Sequence, residues 1–222
     1  MNPLAPQVLA PQLLTPEALA SAGYAFGLWT GWGVLHSVLA ARRVKAAFEL
    51  LLGPRYVFYP TAYSLVSLWT FYLVFTKEPD LPQLLWAVEG PSALFMYGVQ
   101  LAGLALLVWA GVSMHGLKML GVTQLVSLLR RRLPEAADLR QDFTSTGAYG
   151  LVRHPMHAGG MLFLAFQPRL TLGGFVFALF GCLYMAIGSW LEERRLALEL
   201  GPVWAEYTRR VPMFLPRPWP RL

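Results

Sequence analysis

Charge is scarce in this 222-residue chain: Lys, Arg, Asp and Glu make up 14% of it, against about a quarter in an ordinary soluble domain. With 56% apolar residues and a mean hydropathy of +0.47, the composition excludes a soluble class and points to lipid. Cysteine is nearly absent. Cys182 stands alone in an apolar run, which rules out an internal disulfide and leaves it as a small packing residue. No Lys or Arg precedes Arg42, so the basic start of a secretory signal is missing and no removable leader is expected. No convincing strand and no glycine fingerprint opening a helix can be read, which excludes a Rossmann-type cofactor fold.

What the chain has instead is long apolar runs. Five read as transmembrane helices, about 19–41, 57–76, 91–114, 155–167 and 170–191, within one membrane domain over residues 1–222. Thr15, Pro16 and Glu17 supply an N-cap, a first-turn proline and an early acid for the first. Gly23, Gly27 and Gly31 recur every four residues and predict close helix contact along their face, while Gly173, Gly174, Gly181 and Gly188 keep the fifth span slim. The fourth run is short. Roughly 13 residues rising 1.5 Å each cannot cross ~30 Å of hydrocarbon, so it needs preceding residues, a thinned bilayer or burial within the bundle.

Five spans assign each of the 18 Lys and Arg residues to a side, and all but Lys77 and Arg169 fall together. By the positive-inside rule that side is cytoplasmic and the N-terminus lies outside. The expected fold is therefore an all-α integral membrane protein of about five transmembrane helices with a cytoplasmic C-terminal helix, in a bacterial inner membrane. The formal charge of +6 reflects this topology; no soluble basic face exists for nucleic acid. Val122 to Leu133, apolar and then closed by Arg130, Arg131 and Arg132, suits a helix lying on the anionic inner leaflet. From Val211 onward, Pro212, Pro216, Pro218 and Pro220 predict an extended tail, with Trp219 as an interfacial anchor.

Ionisable residues at a membrane boundary are costly without partners, and two clusters of them lie on the cytoplasmic side, about 141–160 and 190–216. The first holds Tyr149, Arg153, His154, Pro155 and His157 between glycines. Pro155 suits the first turn of a helix whose N-terminus, beside Arg153, would favour a carboxylate; a capped helix start with a snorkelling Arg is the plain alternative. The second holds Glu192 and Glu193, then a helix to Leu200 stopped by Gly201, with Trp204 and Tyr207 beyond. On a helix the two carboxylates point about 100° apart, so one faces inward while the other meets water. A solvated turn shared with Arg194 and Arg195 is the plain alternative there. An Arg and a helix start for a carboxylate, a Glu for an ammonium or ribose, and aromatics for a base or sulfonium match the groups of S-adenosylmethionine. No metal site is expected.

The run Gly147-x-Tyr149-x-x-Val152-Arg153-His154-Pro155-x-x-x-Gly159, with Glu192-Glu193-x-x-Leu196-x-x-x-x-Gly201-x-x-Trp204-x-x-Tyr207-x-x-x-Val211-Pro212, resembles the isoprenylcysteine carboxyl methyltransferase and phospholipid methyltransferase superfamily. His36-Ser37-Val38-Leu39-Ala40, Lys45, Gly116-Leu117-Lys118 and Val211-Pro212-Met213-Phe214-Leu215-Pro216 are similar to its methanethiol S-methyltransferase and NnrU-like branch. The resemblance covers roughly residues 24 to 216. It implies a membrane enzyme that binds S-adenosylmethionine in a pocket open to the cytosol, lined by Tyr149, Arg153, His154, Pro155, the residue at 157, Glu192, Glu193 and Tyr207. The family's usual Tyr is His157 here, and Gly188 stands near the position where carboxyl methyltransferases carry a substrate arginine, which disfavours a prenylcysteine.

The expected activity is S-methylation of a small or lipophilic thiol such as methanethiol, with membrane lipids around it and room for a homodimer. His154, His157 and His36 are candidates, by residue type, for taking the thiol proton. His36 and His115 are equally readable as buried histidines satisfied by one hydrogen bond. A lipid amine or carboxylate is the alternative substrate, and an NnrU-like haem-associated protein without methyl transfer is the alternative outside this class.

Overall fold

The computed structural model describes residues 7–8, 15–130 and 143–216, so the expectations for Arg131, Arg132, Arg140, Pro218, Trp219 and Pro220 lie outside the described residues. The chain divides into two compact units, one of residues 1–26, 79–113 and 144–222, the other of 27–78 and 114–143. Helix α1 (Pro16–Ala40) contributes to both. It begins as its sequence dictates, with the Thr15 hydroxyl accepting the Ala18 N–H at 3.2 Å. Ala18, Ala25 and Trp29 form its buried stripe. At 100° per residue the Gly23, Gly27 and Gly31 stripe lies about 180° away, and a Cβ added to any of the three would meet nothing within 4 Å. The expected contact along the glycine face is therefore overturned: the helix packs through its alanines and Trp29.

The 27–78 and 114–143 unit holds α2 (Arg42–Leu52), a 3-10 turn (Gly53–Phe58) and α3 (Tyr59–Lys77), which run on as one helical stretch. The basic stretch between the first two expected spans is thus largely helix. Pro54 and Pro60 each sit in the first turn of their element, where the missing N–H costs nothing, so neither breaks the stretch. Helices α5 (Gly116–Met119) and α6 (Val122–Leu129) follow, the latter as expected for the segment before the arginines. Gly121 has φ +76°, and a Cβ there would lie 2.6 Å from the Thr61 Cα, so only glycine lets α6 start against α3. Thr61 Oγ1 closes the contact by donating to the Gly121 carbonyl at 2.8 Å.

The larger unit is built around α4 (Gly90–Ser113), α8 (Pro155–Ala165) and α9 (Leu172–Leu200), with α7 (Ala148–Leu151) and α10 (Pro202–Arg210) beside them. Three short strands, β1 (Gln7–Val8), β2 (Leu84–Ala87) and β3 (Arg169–Thr171), make an antiparallel sheet in the order β1-β2-β3. They correct the expectation that the chain has no strand; at two to four residues each they carry no readable alternation. Helix α8 is 11 residues, about 16 Å at 1.5 Å per residue. It is too short to cross hydrocarbon and is wedged between α4 and α9, with Gly103 facing Gly159 and Gly160 facing Met185. Among the described residues, three helical stretches, Arg42–Lys77, Gly90–Ser113 and Leu172–Leu200, are long and apolar enough to cross a membrane.

Candidate active site

The site is assembled where α8 begins and α9 ends. His154 precedes a proline, which drives it out of helical geometry (φ −122°, ψ 64°) and lets α8 start at Pro155. The backbone N–H groups of Arg153 and His154 then donate to the carbonyls of Pro212 and Met213, at 2.8 and 3.1 Å. The C-terminal segment expected to run extended is therefore a strap laid against the Arg-His-Pro turn. Helix α9 continues past its apolar part through Ser189, Glu192 and Glu193 to Leu200, where Gly201 (φ 52°) caps it and donates to the Ala197 carbonyl. Trp204 and Tyr207 of α10 and Val211 just after it pack together over Leu196 and Leu200.

Glu193 is the carboxylate that turns inward. Its Oε1 accepts from Arg153 Nε at 2.7 Å and lies 3.3 Å from His154 Nε2. Arg153 also donates through one terminal nitrogen to the Val211 carbonyl at 2.6 Å, so its guanidinium fastens α9 to the strap. Glu192 lies on the more open side, 39% exposed, with Oε2 3.7 Å from His154 Nδ1 and Oε1 3.3 Å from Arg195. The His154 and His157 rings are nearly parallel at 5.8 Å, and His157 Nδ1 shares a hydrogen bond of 2.6 Å with the Ser189 hydroxyl. Phe214 of the strap closes the other side of His154, with ring centres 5.9 Å apart.

Burial holds the His154 imidazole below its ordinary value although Glu192 and Glu193 pull it up. The ring is therefore neutral at neutral pH, and the Arg153–Glu193 pair beside it is already balanced. Burial, and then the charge of Glu192, also raise the Tyr149 phenol. Tyr207 donates its hydroxyl proton to the Tyr149 carbonyl at 2.6 Å. Burial pushes that phenol from 10.0 up to about 12, with Arg153 acting downward and Glu193 upward.

A raised folded value means that the folded state keeps a proton the unfolded chain gives up. The contribution of Tyr207 to stability is complete below pH 10 and is lost as the pH rises through about 12. In Tyr207→Phe we expect one late-titrating phenol to vanish from the ultraviolet alkaline titration, with about 1 kcal/mol of stability lost at neutral pH. An unchanged titration would remove Tyr207 from this role.

Tyr149, Arg153, His154, Pro155, His157, Glu192, Glu193 and Tyr207, singled out from the sequence, all lie in the larger unit and converge on this turn. His36 belongs to the other unit, where its two ring nitrogens pair with Ser67 Oγ at 3.0 Å and Tyr63 at 2.6 Å and its ring stacks on Trp32. His115 is a left-handed turn residue (φ 53°) between α4 and α5. Sequence reasoning missed Ser189, which is fully buried. The signal was there: a hydroxyl in an apolar helix, one turn before two carboxylates. It also missed the strap carbonyls, which backbone pairing alone supplies. One donor atom from each of His154, His157 and Glu192 lies within 4.8 Å of the others, a spacing that could gather a cation.

No family model and no solved structure matches the chain. Curated proteins do. A methanethiol S-methyltransferase of Pseudomonas sp. is 32% identical over 70% of this chain and 58% of its own length. Methanethiol S-methyltransferase 2 of Bradyrhizobium diazoefficiens is 29% identical over 83% of this chain and 69% of its own length, and the Mycobacterium tuberculosis protein of the same activity name is 26% identical over 84% and 74%. The chain thus spans little more than half of one of these relatives and about two thirds to three quarters of the others. Six curated relatives with one activity name, and a site built from the Arg-His-Pro and Glu-Glu segments, place the chain in the isoprenylcysteine carboxyl methyltransferase and phospholipid methyltransferase superfamily, on its methanethiol S-methyltransferase branch.

Proposed function

We propose that the protein is an integral membrane, S-adenosylmethionine-dependent methyltransferase that S-methylates a small or lipophilic thiol such as methanethiol. One observation carries this reading: Glu193 is balanced by Arg153, while Glu192, beside a neutral His154, has only the half-exposed Arg195 as a cationic partner among the described residues. A carboxylate left over in a partly buried aromatic site suits a ligand bearing an ammonium or sulfonium. That is the fit expected of S-adenosylmethionine, and the activity name shared by the relatives agrees with it. The sequence expectation that Arg153 and the helix start receive the ligand's carboxylate is narrower in the folded chain. Both backbone N–H groups before Pro155 and most of the guanidinium are already used by the strap and Glu193.

The bound cofactor would supply an electrophilic methyl group on a sulfonium. This chain's residues would hold it and align the thiol: Glu192 neutralises the ligand's positive charge, and the Tyr149 and Tyr207 turn and the strap keep water away. A neutral imidazole can take the thiol proton, and His157 is the better placed of the pair. Its Nδ1 shares a hydrogen bond with the Ser189 hydroxyl, and in the tautomer that donates through Nδ1 the Nε2 is the accepting nitrogen. The apolar stretches support a site at a membrane surface, and the basic residues support its facing the cytoplasm across a bacterial inner membrane.

The test is calorimetry of the full chain in nanodiscs with S-adenosylmethionine and its demethylated product, followed by a labelled-methyl assay across thiols and lipids. Glu192→Gln should weaken cofactor binding by about 1.5 to 3 kcal/mol, roughly a 10- to 150-fold loss. No binding by monodisperse protein would end the methyltransferase reading, and label appearing only in lipid would replace the substrate. Labelling of single engineered cysteines from either side of sealed vesicles checks the orientation.

A further inference from the structure

Three donor side chains meet where α8 begins and α9 leaves its apolar part: His154, His157 and Glu192 each bring one ligand atom within 4.8 Å of the other two. His154 stands just before the first turn of α8 and His157 within it, and their rings lie nearly parallel with centres 5.8 Å apart. An ion held by bonds of about 2.0–2.1 Å brings tetrahedral ligand atoms to roughly 3.4 Å of one another. His154 Nδ1 and Glu192 Oε2 are already 3.7 Å apart.

The second nitrogen of each ring is engaged as a metal site requires. His154 turns Nε2 to Glu193 Oε1 at 3.3 Å, which leaves Nδ1 toward Glu192, and His157 turns Nδ1 to the Ser189 hydroxyl at 2.6 Å. A metal-bound imidazole almost always gives its other N–H to a carboxylate, a backbone carbonyl or water, which fixes the ring and its tautomer. Here both rings have such a partner, the serine hydroxyl accepting as a water would. Both partners come from α9, the helix that also carries Glu192. Arg195, the cation beside Glu192 at 3.3 Å, has Glu199 as a second partner at 3.6 Å, so Glu192 can turn inward without stranding it.

Two imidazoles and one carboxylate select a borderline divalent ion over magnesium or calcium, which take oxygen ligands. We propose that His154, His157 and Glu192 form a binding site for a zinc-class divalent cation, with a fourth position open to water. The site needs nothing from the methyltransferase reading. One consequence does rest on that reading: Glu192 and the His157 ring are the groups it assigns to the methyl donor and the thiol, and a dication beside a sulfonium repels it. Cation and S-adenosylmethionine therefore exclude each other, and each weakens the other by the same factor.

The test uses the full chain without a histidine tag, in nanodiscs and without methyl donor, titrated with cobalt(II) and then zinc. A single equivalent of cobalt should give the intense visible absorption of a tetrahedral ion, and zinc should bleach it. Ser189→Ala removes only the outer partner of His157 and should weaken zinc about 10- to 100-fold. Glu192→Gln, at a side chain 39% exposed, should fold as the parent does and weaken zinc further, as should His157→Gln. His115→Asn, which suits a left-handed turn residue, should bind zinc as the parent does. No stoichiometric cobalt spectrum from the parent overturns the proposal. Folded Glu192→Gln and His157→Gln with the parent's zinc affinity overturn it too, and show adventitious binding elsewhere. Calorimetry with S-adenosylmethionine separates the two readings: a parent that binds zinc but no methyl donor keeps the metal site and ends the methyltransferase reading, and one that binds the donor but no zinc does the reverse. Zinc and donor bound together with unchanged affinities would overturn their exclusion.

Discussion

Glu193→Ala is expected to lose about 3 kcal/mol of stability in detergent, among the largest losses for any single side chain outside the apolar packing. The size follows from what is left behind. Arg153 is 11% exposed and Glu193 21%, so removing the carboxylate strands a guanidinium that water reaches poorly, while solvent at the edge keeps the loss near the lower end of the range. Glu193→Gln retains an acceptor for Arg153 Nε and should lose about half as much. The double change Arg153→Met with Glu193→Ala should recover part of the loss, because a stranded charge costs more than a missing pair. A second readout isolates the strap. Arg153 joins Glu193 to the Val211 carbonyl, so Glu193→Ala should speed tryptic cleavage after Arg210, whose side chain is 76% exposed. Equal stability and equal cleavage in parent and variant would show that the ion pair does not hold the site together.

The sequence announced that Glu192 and Glu193 diverge by about 100°, but not which would turn inward. That depends on where Arg153 stands, and Arg153 is placed by a strap 58 residues further along. Helix starts and stops were legible because they are local: the Thr15 cap, Pro155 at the head of α8, and Gly201 after Leu200. Non-local placement was not. The glycine stripe of α1 obeyed the packing rule in spacing, yet Trp29 on the opposite face had the stronger claim on the interior. It is fully buried, and its indole donates to Glu78 at 2.7 Å.

The same limit explains the 42–58 stretch. It lies between two expected spans and holds arginines and a Gly-Pro pair; a proline in a first turn is compatible with helix, and nothing local decides whether the next residues continue it. The histidines divide in the same way. By type, His36 groups with His154 and His157; which partners it meets, Tyr63 and Ser67 within its own unit, is not written in its local sequence.

The short α8 draws its place from α4, and this gives the other large expected effect. A Cβ on Gly103 would lie 2.6 Å from the Gly159 carbonyl oxygen, 3.0 Å from the Leu162 Cβ and 3.0 Å from the Phe163 nitrogen. Two of these neighbours are backbone, so no side chain can swing away; the helices must separate or α8 must slide. Gly103→Ala should therefore lose about 2 to 3 kcal/mol, and Gly103→Val more, in place of the ~1 kcal/mol gain that alanine brings to an open helix position. Gly111, on the same helix with nothing within 4 Å of an added Cβ, is the control, and Gly111→Ala should be neutral or stabilising. Because α8 carries Pro155 and His157, a slide that relieves Gly103 also displaces the Ser189–His157 bond and the turn that meets Glu193. Gly103→Ala should accordingly weaken S-adenosylmethionine binding at temperatures where it is still folded, while Gly111→Ala binds as the parent does. Equal affinity in the two variants would separate the packing of α8 from the site, and the helix would then be a wedge with no part in positioning the chemistry.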